Sequence, residues 1–322
     1  MNHKVAMSTR NTRIAKNTLM LYFRQLLILF VSLYSVRVVL NELGVEGFGV
    51  YGAVAGLVAL GSFLPGSLAQ ATQRFFSFAL GEEDIERLKK TFSVNLGLYI
   101  SVALFAFIAL KTLGVWYVDN YLSIPDGRIA AAKALYLYAV ITFVFSIVTT
   151  PFMAIIMAHE DMRLYAYISI LEALLKLSVA FMLQFFSWDK LELYGFLLLC
   201  VGIVNFVIYV GICLNRYTEC QVKKIYWDLS LLKEIVGFTG WTVFGQISTV
   251  ARTHAITVLL NQLFNPAVVA ARAISVQIAS QVNIFSANFN ASLYPPIVKS
   301  YAANDREGMY SLVISGSKIT FF

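Results

Sequence analysis

Four arginines set within apolar stretches, Arg24, Arg37, Arg252 and Arg272, are the residues of this chain best equipped for chemistry. An arginine at the middle of a bilayer costs roughly 2.5–3.5 kcal/mol on insertion scales, so it ordinarily faces a cavity or a partner. No carboxylate stands three or four residues from Arg24, Arg252 or Arg272 to neutralise it along a helix. Glu42 lies near Arg37, so an interfacial reading of that residue stands beside the cavity reading. Guanidinium presents a planar fork that matches phosphate oxygens two at a time. Around these cations, amides and hydroxyls recur at helical spacing: Thr242, Gln246, Thr249 and Thr253 in one segment, Gln277, Gln281, Asn288 and Ser292 in the next. Asn17, Gln25, Ser32 and Ser35 do the same near Arg24. Such stripes suit sugar hydroxyls, and the combination points to an anionic, phosphate-bearing amphiphile. The competing explanation is that the stripes bond helices to one another.

Glu172 and Lys176 form the other charged pair inside an apolar run. They are four residues apart with the acid first, the favourable order for a helical ion pair, and read as a structural couple. The histidines His3, His159 and His254 share no metal-ligand spacing, and Cys200, Cys213 and Cys220 have no paired pattern. Neither a nucleophile–base set nor a phosphate-cradling glycine loop is recognisable. The chain reads as a non-enzyme that needs no cofactor and no metal.

The elements that position these residues are membrane helices. Hydrophobic residues make up 59% of the chain and charged ones 13%, against about half and a quarter in a soluble domain. Apolar runs long enough to cross a bilayer occupy 17–43, 48–80, 92–118, 130–158, 164–186, 193–214, 231–260 and 268–294, and a ninth opens at Tyr310. Lys4, Arg10, Arg13, Lys16, Arg87, Lys89, Lys90, Arg163, Arg216, Lys223, Lys224, Lys233, Lys299 and Arg306 fall on one side, and only Arg128, Lys133 and Lys190 on the other. That asymmetry predicts a cytoplasmic N-terminus. It assigns the net charge of +7 to topology and anionic lipid rather than to nucleic acid.

VVLNEL at Val38–Leu43 returns as VLLNQL at Val258–Leu263, and Ala71-Thr72 falls opposite Ala291-Ser292 at the same offset. The polar hairpins around Asp84 and Asp305 correspond likewise. The expected fold is therefore all-α: a polytopic transmembrane bundle of two pseudo-symmetric six-helix lobes. Residues 1–214 form the first lobe, 215–230 a cytoplasmic linker and 231–322 the start of a second lobe cut short within its third span. Pro65-Gly66, Pro151 and Pro295-Pro296 punctuate the helices as kinks or bending points, the last pair ending the eighth span.

NTLMLYFRQLLILFVSLYSVRVVLNELG at Asn17–Gly44, FGVYG at Phe48–Gly52 and ATQRFFSFALG at Ala71–Gly81 resemble the polysaccharide (O-antigen type) flippase branch of the multidrug/oligosaccharidyl-lipid/polysaccharide exporter superfamily. The resemblance implies a multi-pass protein of the bacterial inner membrane that flips undecaprenyl-pyrophosphate-linked oligosaccharide by alternating access. It implies a central cavity with arginines on the first, seventh and eighth helices, where Arg24, Arg252 and Arg272 stand. The partners implied are the lipid-linked oligosaccharide, membrane lipids, a polysaccharide polymerase and glycosyltransferases, with ion coupling left open. A cation-coupled multidrug exporter of the same superfamily is the alternative, and a membrane enzyme of polysaccharide assembly is a more distant one.

Overall fold

A computed structural model describes residues 2–122, 124–186, 188–220, 226, 228–263 and 266–321. The described chain is helical throughout, as the apolar runs predict. Its helices are α1 (Asn2–Ala59), α2 (Phe63–Gly81), α3 (Ile85–Ala109), α4 (Val115–Tyr121), α5 (Ile129–Ala158), α6 (Met162–Met182), α7 (Lys190–Arg216), α8 (Leu229–Leu263), α9 (Pro266–Ala302) and α10 (Arg306–Phe321). Five described segments are both long and apolar enough to cross a bilayer: Thr12–Gly81, Ile85–Tyr121, Ile129–Ala158, Met162–Met182 and Lys190–Arg216.

The first of these segments contains two of the expected spans. Gly44 separates them by adopting φ 69°, a left-handed conformation open to glycine at little cost. The second span breaks at Leu60–Ser62, ahead of Pro65-Gly66, and Pro65 falls in the first turn of α2 where a missing N–H is harmless. Pro295-Pro296 does not end the eighth span as expected; α9 runs through the pair to Ala302. Packing overrides the two lost backbone donors, since Phe289, Leu293 and Ile297 around the prolines join Ile14 and Leu312 in one apolar cluster.

Helix α5 is the centre of the first lobe. It packs on α7 through glycines one heptad apart, where a Cβ at Gly195 would lie 2.7 Å from Leu135 and one at Gly202 3.1 Å from Thr142. Between α3 and α4 lies a π-helical turn, Leu110–Gly114, and the Tyr136 hydroxyl of α5 donates to the Leu110 carbonyl at 2.8 Å. A side chain at Gly114 would overlap that hydroxyl. Gly114→Ala is expected to cost roughly 3 kcal/mol through overpacking and a lost Tyr136 hydrogen bond. A thermal shift in detergent checks it, and a partial recovery in Gly114→Ala/Tyr136→Phe identifies the clash as the cause.

The duplicated signals fold alike. Helix α1 breaks after Leu43, the end of the first hexapeptide, and α8 carries the second hexapeptide through Leu263, beyond which residues 264 and 265 lie outside the described residues. Thr72 and Ser292 are both fully buried. Each polar hairpin places a left-handed residue, Glu83 or Asn304, before an aspartate. Asp84 then accepts from the Arg87 amide and Asp305 from the Gly308 amide, each at 2.9 Å. Of the expected linker, residues 221–225 and 227 lie outside the described residues. The described part begins as α7 ends at Arg216 and closes with Asp228 capping the first turn of α8.

Candidate functional site

Arg24 sits on the inner face of α1, with the whole residue 9% exposed. One Nη donates to Ser169 Oγ of α6 at 3.4 Å and the other to Asn288 Oδ1 of α9 at 3.2 Å. The guanidinium also lies over the Tyr165 ring, 4.7 Å from its centroid. Its Nε is buried without a partner, and no carboxylate pairs with it among the described residues. Each partner is neutral, so the positive charge stays available to a ligand.

Arg24 opens onto a cavity of about 620 Å3 bounded by α1, α5, α6 and α7. Ser32, Ser35, Tyr51, Thr142 and Tyr194 give this wall its hydroxyls. Glu172 and Lys176 stand in the same wall, so the couple read as merely structural borders the cavity of Arg24. Their ion pair closes at 2.6 Å, and Asn205 of α7 donates to the second Glu172 oxygen at 3.2 Å. Beyond Glu172 a smaller cavity of about 240 Å3 continues toward Pro65, Thr149, Thr150 and Tyr209. Tyr165, Ser169, Glu172 and Lys176 recur at intervals of four, three and four, one face of α6.

The remaining expected residues are dispersed. Arg37 is exposed on α1 beside Glu42, but Glu42 pairs with Lys190 at 2.9 Å. Arg252 on α8 is exposed, Arg272 on α9 has a buried Nε without a partner, and neither makes a described hydrogen bond or ion pair. Gln246 is half-buried and Gln281 exposed, and the side chain of His254 lies outside the described residues. Arg24 and Asn288 are thus the two expected site residues that the fold joins directly. Arg74 of α2 lies 4.2 Å over the ring of Phe238 on α8.

Sequence reasoning passed over the turn between α5 and α6. His159, Glu160 and Asp161 each hold a different part of the molecule there. Glu160 pairs with Arg13 of α1 at 2.5 Å and with Lys299 of α9 at 2.9 Å, and its carbonyl accepts from Asn17. Asp161 takes the Tyr217 hydroxyl at 2.5 Å and Arg216 at 3.1 Å, both at the end of α7. His159 Nε2 lies 2.5 Å from Glu219 Oε1, with its ring stacked on Tyr217. Charged residues in hairpins are common, and only the assembled chain distinguishes a solvated turn from a hub.

Burial pushes the Glu219 carboxyl upward, but bonds from His159, its own amide and Thr218 together hold it below the usual 4.5. A lowered folded value means that this contact stabilises fully above the ordinary carboxylate range and is lost as pH falls through the lowered value. Hydrogen exchange at residues 217–220, corrected for intrinsic rate, is expected to lose protection as pH drops below 4.5. Glu219→Gln is expected to abolish that step.

The joints between the α1–α7 part and α8–α10 lie toward one end of the bundle, the end rich in Lys and Arg. Thr18 and Ser292 share a hydrogen bond of 2.7 Å between α1 and α9, and Tyr22 meets Phe285 edge to face. Phe75 of α2 packs on Phe238 of α8. At Gly81 a Cβ would lie 2.6 Å from the Lys299 carbonyl, so α2 and α9 touch backbone to backbone. Arg24–Asn288 is the innermost of the side-chain hydrogen bonds in this set.

The fold is shared with solved membrane transporters. A structure described as the outward-facing conformation of a multidrug resistance MATE family transporter of the MOP superfamily is similar at a TM-score of 0.79 and 13% identity, over 95% of this chain and 69% of that one. A MATE transporter of Vibrio cholerae gives 0.79 and 16% over 96% and 70%. A MOP superfamily transporter from Pyrococcus furiosus, whose binding pocket is described as of reverse polarity, gives 0.77 and 12% over 95% and 69%. No curated protein sequence matches the chain. A sequence model of the MatE family covers residues 21–182, half of the chain, including Arg24, the α5–α6 hub and the Glu172–Lys176 pair. With that match and this architecture, the chain belongs to the MatE family of membrane transporters.

Proposed function

We propose that this transporter carries undecaprenyl-pyrophosphate-linked oligosaccharide across the bacterial inner membrane by alternating access, with its basic end cytoplasmic. The observation that carries the reading is Arg24, a buried guanidinium whose described partners are a hydroxyl, an amide and an aromatic ring. A cation of this kind in a hydroxyl-lined cavity favours an anionic headgroup and repels a cationic drug. The positions of the interlobe joints support a state closed at the basic end and open at the other. In this reading Arg37, Arg252, Arg272, Gln246 and Gln281 meet the substrate at other stages of its passage. The 14-to-3 distribution of basic residues supports a cytoplasmic N-terminus.

A second reading, the cation-coupled multidrug exporter, is favoured by Glu172, a carboxylate in the cavity wall held by Asn205 as well as Lys176. It also accords with the multidrug resistance described for one structurally similar protein. Proteoliposomes containing the whole protein separate the two. Flipping of a fluorescent lipid-diphosphate oligosaccharide without efflux of a cationic dye is the expected result. Proton- or sodium-driven dye efflux without lipid flipping would replace the first reading by the second.

A further inference from the structure

We propose that a second cavity, at the basic end between the start of α1 and the α5–α6 turn, binds a phosphate-bearing anion. It holds about 620 Å3, and Arg13, Lys16, His159 and Arg163 stand in its wall with Glu160 and Asp161. Both carboxylates are already committed. Glu160, its side chain 7% exposed, has one oxygen on Arg13 and the other on Lys299. Asp161 gives one oxygen to both Tyr217 and Arg216. Lys16 and Arg163 are left with neither an acid nor a hydrogen-bond partner among the described residues. Lys16 and Arg163 are exposed, and with Arg13, half exposed on Glu160, they gather positive charge on one concave wall, which favours an anion there.

Phosphate suits the donors. An ammonium offers three N–H groups and a guanidinium a fork, and a phosphate group presents several oxygens at matching spacing. Cations on the lipid-facing rim of a bundle would meet headgroups non-specifically; these line a cavity instead. No residue borders both this cavity and that of Arg24, so the proposal is independent of the transported substrate. The source of the phosphate is either a lipid headgroup or an ion in solution, and the chemistry is the same.

The test uses the whole chain in nanodiscs of uncharged lipid, titrated with inorganic pyrophosphate by calorimetry. In a parallel arm, native mass spectrometry reads retention of added phosphatidylglycerol. Lys16→Gln/Arg163→Gln is expected to weaken binding in at least one arm about tenfold, equivalent to about 1.4 kcal/mol. Neither side chain makes a described bond, so this substitution removes no contact on which folding depends. Lys89→Gln/Lys90→Gln, an equal charge change on α3, is expected to leave binding unaltered, and Lys16→Arg/Arg163→Lys to retain it. Binding of pyrophosphate identifies a soluble ligand, and retention of phosphatidylglycerol alone identifies a headgroup. Equal losses in both glutamine variants, or no binding by the parent in either arm, overturn the proposal.

Discussion

Alanine at Arg24 is expected to abolish transport by the whole protein while leaving its amount in the membrane unchanged. The guanidinium is buried against Ser169 and Asn288, and none of its described partners carries a negative charge. If it binds a diphosphate, the loss removes charge-assisted bonds of about 3 kcal/mol in total, close to a hundredfold in rate. Arg24→Lys is expected to retain part of the activity, since it keeps the charge but loses the fork. The check is flipping in proteoliposomes beside an immunoblot of membrane level. Full activity in Arg24→Ala would remove this residue from the substrate path, and with it the main support for an anionic cargo.

Joining Thr18 to Ser292 is expected to arrest the transporter reversibly. Their hydroxyls are 2.7 Å apart, one on α1 and one on α9, and both residues are buried. Cysteines at the two positions put sulfur in nearly the same places, close enough for a disulfide of about 2.05 Å after a small adjustment. Alternating access requires this joint to part, together with Glu160–Lys299 and the Gly81–Lys299 contact. Oxidised Thr18→Cys/Ser292→Cys should therefore be inactive, and reduction should restore it. Each single variant should stay active in both conditions. Transport through a fully cross-linked protein would show that the lobes do not separate here, and the rocking motion would have to be abandoned.

How much of this was legible depends on how far apart in the chain the interacting residues stand. The Glu172–Lys176 pair was readable because four residues is about one helical turn, and the hairpins around Asp84 and Asp305 as polar breaks between apolar runs. Arg24 was conspicuous as a cation in an apolar run, yet its partners lie 145 and 264 residues away and no local rule finds them. The α6 face of Tyr165, Ser169, Glu172 and Lys176 had a helical period that could have been followed outward from the ion pair. Glu160 had no such signal, since its cations come from α1 and α9.

Composition and the length of apolar runs determined by themselves that this chain is a helical membrane protein, because a bilayer leaves the backbone few ways to satisfy its hydrogen bonds. The polar hairpins around Asp84 and Asp305 marked two of its helix turns. Tertiary structure alone decided which cations are neutralised, which cavity Arg24 faces and that α9 continues through two prolines. Those outcomes rest on contacts between helices distant in sequence, whose packing outweighs the preference of any single residue.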